Sequence, residues 1–327
     1  MSARLENGSL VTVFGGSGFV GRHVVRALAR DGWRVRVAVR RPDLAGHVQP
    51  MGAVGQVMPV QANLRYPESV KAAVQGAEAV VNLVGILAKS GAQTFDAVHV
   101  RGAEMVAEAA KAAGARRLVH VSAIGASPRS KSSYGRSKAM GERAALKAFP
   151  DAVILQPSLI FGPEDDLFNR FANMAASSPL LPLIGGGRTR FQPVYVGDVA
   201  RAVANVCAGA GEPGAVYELG GPEIVSFRQI LDKVQEWSGR KRRYVSLPFG
   251  IAKFGAMLTA PLPNSLRPLT VDQVRLLQVD NVVSAQAVSE GRTLQGLGIT
   301  NPHTMAAVVP SYLERFNPHG QYAHYRG

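Results

Sequence analysis

Cysteine is all but missing: Cys207 is the only one in 327 residues. A disulfide within the chain and a multi-cysteine metal site are thereby excluded, and the usage fits a reducing compartment. Its surroundings, VANVCAGA, are apolar at helical spacing and predict a packed core position. Long apolar runs are absent too. No window offers about 18 uninterrupted apolar residues, so no spanning helix is expected. The leading MSARLENGS is polar and runs straight into an apolar strand, so neither a secretory signal nor a transit peptide is expected. Seven histidines (His23, His47, His99, His120, His303, His319, His324) lie scattered without ligand spacing. Each reads as a surface or packed side chain, and no metal centre is expected. Acidic residues are scarce, 23 against 37 basic ones, for a formal net charge of +14. That excess implies an anionic neighbour: a phosphate-rich ligand, nucleic acid, acidic protein or a membrane surface. No helix-turn-helix, RNA-recognition or zinc motif accompanies it, so nucleic acid is not expected.

What the chain does have is an ordinary globular content of apolar residues, 46%, and enough length for one large α/β unit or two modest domains. It is organised around LVTVFGGSGFVG. Leu10 to Phe14 is a short β-branched run typical of a strand buried on both faces. Gly15, Gly16, Ser17, Gly18, Phe19, Val20 and Gly21 follow, opening a helical HVVRALARDG. The spacing is G-x-x-G-x-x-G. Gly15 allows the tight turn, Gly18 a close approach of backbone to pyrophosphate, and Gly21 close packing of helix on strand. The first-turn amides at the positive end of the helix dipole suit a diphosphate.

Trp33 to Val39 alternates and reads as the second strand, ending in Arg40-Arg41. A carboxylate there would accept from the ribose hydroxyls of NAD. Arginines would meet the 2′-phosphate of NADP instead, which favours NADPH over NAD; the alternative is a solvated basic turn. Gln56 to Val60 is a third strand, followed by Asn63-Leu64; Ala79 to Val84 is a fourth, continuing into Gly85. Phe95 to Ala113 predicts one long helix and Arg117 to Val121 a fifth strand. Then comes YGRSK, placing Tyr134 and Lys138 four apart on one helical face. Strand–helix alternation predicts an α/β fold: a Rossmann-type doubly wound parallel sheet with a smaller, interleaved C-terminal α/β subdomain. The domains are expected at 8–162, also receiving strands from about 191–220, and at 163–327.

The first half resembles the extended and atypical short-chain dehydrogenase/reductases. In them the lysine holds the nicotinamide ribose and lowers the phenol pKa of the tyrosine, the acid/base. The resemblance implies cofactor contacts at Gly15 to Gly21, Arg40, Arg41, Asn63, Leu64, Val84, Gly85, Ser122, Tyr134, Lys138, Pro157 and Ser158. It also implies a substrate-binding hydroxyl near the end of the fifth strand, where VSAIGA puts Ala123 beside Ser122. A methyl cannot donate, and His99 stands where related reductases usually carry asparagine. A one-residue shift of register would let Ser122 serve instead.

Four later stretches narrow the likeness: QPSLIFGPED (156–165), FQPVYVGDV (191–199), LTVDQV (269–274) and DNVV (280–283). With them the chain is similar to the nucleotide-binding accessory subunit family of respiratory complex I (NADH:ubiquinone oxidoreductase), in a bacterial form without a presequence. What this implies is tightly held NADPH without turnover, other complex I subunits as partners, and a peripheral place on the cytoplasmic side of the inner membrane. The rival expectation is a free NADPH-dependent reductase or epimerase acting on a nucleotide sugar or isoprenoid-like substrate, with Tyr134 and Lys138 as its acid/base pair. A third is an NADPH-sensing regulator. From 163 onward the expectation is an interaction surface. Arg240 to Arg243 precede an apolar segment with Phe249, Phe254, Met257 and Leu258. It fits an interfacial or docking helix that could meet anionic lipid head groups, and equally a core helix beside a charged loop. YLERFNPHGQYAHYRG is expected to be extended.

Overall fold

The structure, a computed structural model, describes residues 8–259 and 269–318. It runs β1 (Leu10–Phe14), α1 (Phe19–Arg30), β2 (Arg34–Val39), β3 (Val57–Gln61), α2 (Pro67–Val74), β4 (Ala79–Asn82), α3 (Gly102–Ala112), β5 (Arg117–Val121), α4 (Ser133–Ala148) and β6 (Val153–Pro157). Next come β7 (Ile160–Phe161), α5 (Leu167–Ser177), β8 (Leu180–Ile184), β9 (Arg190–Phe191), β10 (Val194–Tyr195), α6 (Val196–Cys207) and β11 (Val216–Leu219). The remainder is β12 (Val225–Ser226), α7 (Phe227–Trp237), β13 (Arg243–Leu247), α8 (Phe249–Leu258), α9 (Val271–Leu276), α10 (Ala285–Ser289) and α11 (Met305–Leu313). Two compact units result. One holds the chain through Pro157 with Val196–Leu219 and Val283–Asn301; the other holds Ser158–Tyr195, Gly220–Val282 and the chain from Pro302.

The first unit is a seven-stranded sheet in the order β11-β6-β5-β4-β1-β2-β3, parallel throughout. The strand order reverses between β1 and β4, the crevice where ligands bind in such sheets. β1 forms because its residues can be buried on both faces. Val11 and Val13 are fully covered, and so is Thr12, whose hydroxyl donates to the Ala73 carbonyl at 2.8 Å. The alternation in β2 has a purpose: Arg36 donates to the carbonyls of Ala73 and Gln75, a cation on the C-terminal end of α2. Helices α1 and α6 pack together, while α2, α3 and α4 cover a core of Phe14, Val80, Leu118 and Ile154. Each such side chain contributes about 1.5–3 kcal/mol by leaving water. Cys207 is buried on α6, and burial pushes its thiol up to about 12, as suits an inert packed residue.

The second unit carries three two-stranded ladders, β7 with β10, β8 with β13 and β9 with β12, over a core of Phe161, Phe168, Phe227, Ile230 and Leu231. Three expectations change. Only Val216–Leu219 of the 191–220 stretch joins the large sheet, because β9 and β10 find partners in the second unit. The helix from Phe95 is not uniform: Asp96–Arg101 is a wide π turn before α3. The first part of YLERFNPHGQYAHYRG is not extended, since α11 runs to Leu313 and a 3-10 turn follows over Glu314–Phe316; residues 319–327 lie outside the described ones.

Candidate functional site

The glycine turn leaves β1 through Gly15, whose φ of 78° is left-handed; its amide donates to Ala38 and its carbonyl accepts from Gly18. Gly21 is the tightest position. A Cβ there would lie 2.2 Å from the Gly15 oxygen and 2.6 Å from Gly16 Cα, both backbone atoms that cannot yield. Gly18 caps α1 with no side chain of its own. The result is a cradle of backbone at the switch point, open to an anion at the dipole's positive end. The residues fit the diphosphate of a dinucleotide. His47, which the sequence reading did not single out, reaches this loop from beyond β2, its Nε2 lying 3.2 Å from the Ser17 carbonyl.

The two arginines after β2 are not equivalent. Arg41 forks onto Asp43, with Nη2–Oδ2 at 2.9 Å and Nε–Oδ1 at 3.2 Å. The carboxylate missing from the strand end is thus supplied two residues later. Arg40 is exposed and has no such partner among the described residues. Asn63 spends its side-chain oxygen on the Arg65 amide, and Leu64 turns into the core against Gly102.

At the carboxyl ends of β4 and β5, the predicted Gly85, Tyr134 and Lys138 come together with His99. A Cβ on Gly85 would lie 3.5 Å from Lys138 Nζ and 3.7 Å from His99 Nε2. The His99 Nε2 accepts from the Ile86 amide at 3.0 Å, and Nδ1 faces Ser137 Oγ at 2.8 Å. Since the backbone amide can only donate, the ring proton belongs on Nδ1, and Ser137 passes its own proton to the Tyr134 carbonyl. Burial, then the charge of Lys138, holds His99 down to about 3, a neutral imidazole near neutral pH. Its ring stacks on Phe95 at 5.4 Å and meets the Tyr134 ring edge-on at 5.4 Å. The π turn allows this approach. So does Gly141 on α4, where a Cβ would lie 2.1 Å from the His99 carbonyl.

Lys138 is buried, donates to the Val121 carbonyl at 3.0 Å, and is pushed down to about 8 by burial, with Glu142 opposing. Glu142, one turn further along α4, is itself raised by burial and accepts from Gln156 at 2.8 Å. Burial pushes the Tyr134 phenol up to about 12, opposite to the activation an acid/base tyrosine needs. Ser122 is buried with its hydroxyl inaccessible, beside Glu142; Ala123 is half-buried and offers only a methyl. The one-residue shift therefore brings no hydroxyl to the surface of the site. Asn82 and His120 were also missed: Asn82 bridges the Val84 amide and His120 Nδ1, holding the loop after β4 that carries Val84 and Gly85. Pro157 ends β6, its carbonyl accepting from Ile124. In the second unit, the Ser158 hydroxyl donates to Asn281, at 2.7 Å to Oδ1, and is committed there.

With this geometry in view, the chain belongs to the NAD dependent epimerase/dehydratase family, whose sequence profile matches residues 11–220. It is 36% identical to the mitochondrial NADH dehydrogenase (ubiquinone) 1 alpha subcomplex subunit 9 of Arabidopsis thaliana, over 96% of this chain and 79% of that protein. It is 34% identical to a ceramide reductase of Caulobacter vibrioides, over 86% of this chain and 88% of that protein. In structure it resembles an NADPH-dependent quinone oxidoreductase from Escherichia coli complexed with NADPH, at TM-score 0.71 and 22% identity over 93% of this chain and 99% of that one, a likeness of fold.

Proposed function

We propose that the chain is an NADPH-holding accessory subunit of a bacterial respiratory complex I, peripheral on the cytoplasmic side of the inner membrane, in which the nucleotide is a structural part. The observation that carries this reading is the end of β5. Ala123 presents a methyl and Ser122 keeps its hydroxyl buried, so neither offers a donor to a reacting oxygen. The identity with a mitochondrial NADH dehydrogenase (ubiquinone) subunit over most of its length supports the choice of complex.

Gly15 to Gly21 would hold the pyrophosphate against the start of α1, Arg40 the 2′-phosphate, and Gly85, Tyr134 and Lys138 the nicotinamide ribose. Such a dinucleotide, when bound, supplies a transferable hydride. The chain's own residues do the rest: Lys138 charges the ribose pocket, and neutral His99 keeps Ile86, Ser137 and Tyr134 in register. A ligand that binds only the folded chain stabilises it by mass action.

The reading of a free NADPH-dependent reductase or epimerase keeps one observation in its favour, Lys138 beside Gly85 with Tyr134 edge-on to the neighbouring His99, together with the likeness to a ceramide reductase. Tyr134 would then hold the proton for the reacting oxygen. Native purification from membranes, with mass spectrometry of bound nucleotide and co-eluting chains, separates the two. NADPH with flavin and iron–sulfur subunits is expected. A soluble chain that reduces a carbonyl compound with NADPH and no companions overturns the proposal.

A further inference from the structure

The ten-residue helix α8 lacks the polar outer face of an ordinary surface helix. Of its residues only Ala256 is buried, while Ile251, Phe254, Met257 and Leu258 are exposed at 60%, 63%, 55% and 66%. Ile251, Phe254 and Leu258 follow i, i+3, i+7 and form one stripe, and Gly250 and Gly255 beside it face open space. Apart from Lys253 the helix is apolar throughout, so the side that meets water is as apolar as the side that packs. Other exposed large apolar residues, such as Leu44 and Val54, occur away from any such stripe and need no partner.

The charge around α8 says what covers it. No acidic residue occurs between Arg240 and Leu258, which contain Lys241, Arg242, Arg243 and Lys253. Arg240 and Arg242 are spent inside the second unit, donating to the carbonyls of Phe316 and Ala175. Lys241 and Arg243 are exposed where the chain enters β13 and then α8, and Lys253 lies on the helix itself with a stem long enough to reach outward. Asp272 on α9, which packs against α8, and Asp232, which holds Tyr244 of β13, are acidic neighbours from other elements. The segment itself carries only cations, and greasy side chains among exposed cations match a bilayer surface, with acyl chains below anionic head groups. Ten residues rise about 15 Å, half the hydrocarbon thickness of roughly 30 Å, so the helix would lie in the surface, not cross it.

We infer that α8 is a membrane-surface anchor that inserts Ile251, Phe254, Met257 and Leu258 into an anionic lipid bilayer, with Lys241, Arg243 and Lys253 at the head groups. The inference does not depend on the nucleotide or on complex I.

The test is flotation of the purified full chain with protein-free vesicles of phosphatidylcholine, with and without phosphatidylglycerol. Binding is expected to the anionic vesicles and to fall with salt. Phe254→Ser with Leu258→Ser should cut vesicle affinity about tenfold or more, with an unchanged melting temperature. Lys241→Gln with Arg243→Gln should erase much of the preference for anionic lipid, about fivefold per cation. Phe254→Trp should shift its emission to the blue on mixing with anionic vesicles. A chain that stays unbound at every composition, or whose binding the apolar substitutions leave intact, overturns the inference. So does binding to native membranes but not to protein-free vesicles, which would assign the face to a protein partner.

Discussion

The glycine cradle of the first unit and the Asn281 junction of the second are both tight, and they are made of opposite materials. The cradle is backbone alone, and its fit comes from side chains that are missing: Gly21 leaves no room for a single carbon beside Gly15. The junction is built of side chains drawn from distant motifs. Asn281 Oδ1 accepts from Ser158 and from the Leu159 amide, its own amide donates to Arg190, and its carbonyl accepts from Gln192. Next to it, Asp280 pairs with Arg190 at 2.8 Å. A surface left bare of side chains is free to meet a ligand, whereas one whose polar atoms are all engaged with each other serves the fold.

The comparison can be broken most forcefully at Gly21. Gly21→Ala should cost about 3 kcal/mol or more and lower nucleotide affinity by about a hundredfold, because only backbone could move aside. Paired melting and titration calorimetry would check both; a variant that binds as before would mean that the cradle is not the site. Acid should act next. The unfolded chain holds protons on His99 and His120 below about 6.5, while the native chain takes them only near 3. Native stability is therefore intact above that window and falls by a few kcal/mol as pH drops through it. Denaturant melts at graded pH should show the loss, and His99→Gln should remove part of the slope.

At the junction, Asn281→Ala orphans the Leu159 amide, while Ser158 keeps the backbone carbonyl of residue 281, and should cost about 1–2 kcal/mol while leaving nucleotide affinity unchanged. A fall in affinity would erase the distinction between a site and a structural junction. The smallest effect sharpens the cofactor choice. Arg40→Ala should weaken NADPH about tenfold with little change for NADH, and Arg41→Ala only about twofold, since Asp43 already occupies Arg41. Equal losses would mean that the ion pair opens on binding.

Much of the first unit was legible because its signals are local. A β-branched run, three spaced glycines and a helical pattern lie within a few residues of one another, and they fix a strand, a turn and a helix. Tyr134 and Lys138 were legible for the same reason, one helical turn apart. His99 stood out by position alone; its hydrogen-bonding role, and those of Ser137, Asn82 and Gly141, were not legible, because they depend on partners such as Ile86 and His120 brought in by the fold. Asn63, Leu64, Arg41 and Ser158 were placed by position in a pattern. The structure gives their polar atoms or apolar stems to neighbours that the pattern does not contain.

By itself, then, the sequence determined the parallel α/β sheet, the phosphate-shaped turn at Gly15 to Gly21 and the excess of positive charge, all of which follow from spacing and composition. Only the tertiary structure decided that Ser122 is hidden, that His99 is neutral, and that α8 leaves Ile251, Phe254, Met257 and Leu258 exposed. Burial is a property of what the rest of the chain covers, and no local pattern of residues contains it.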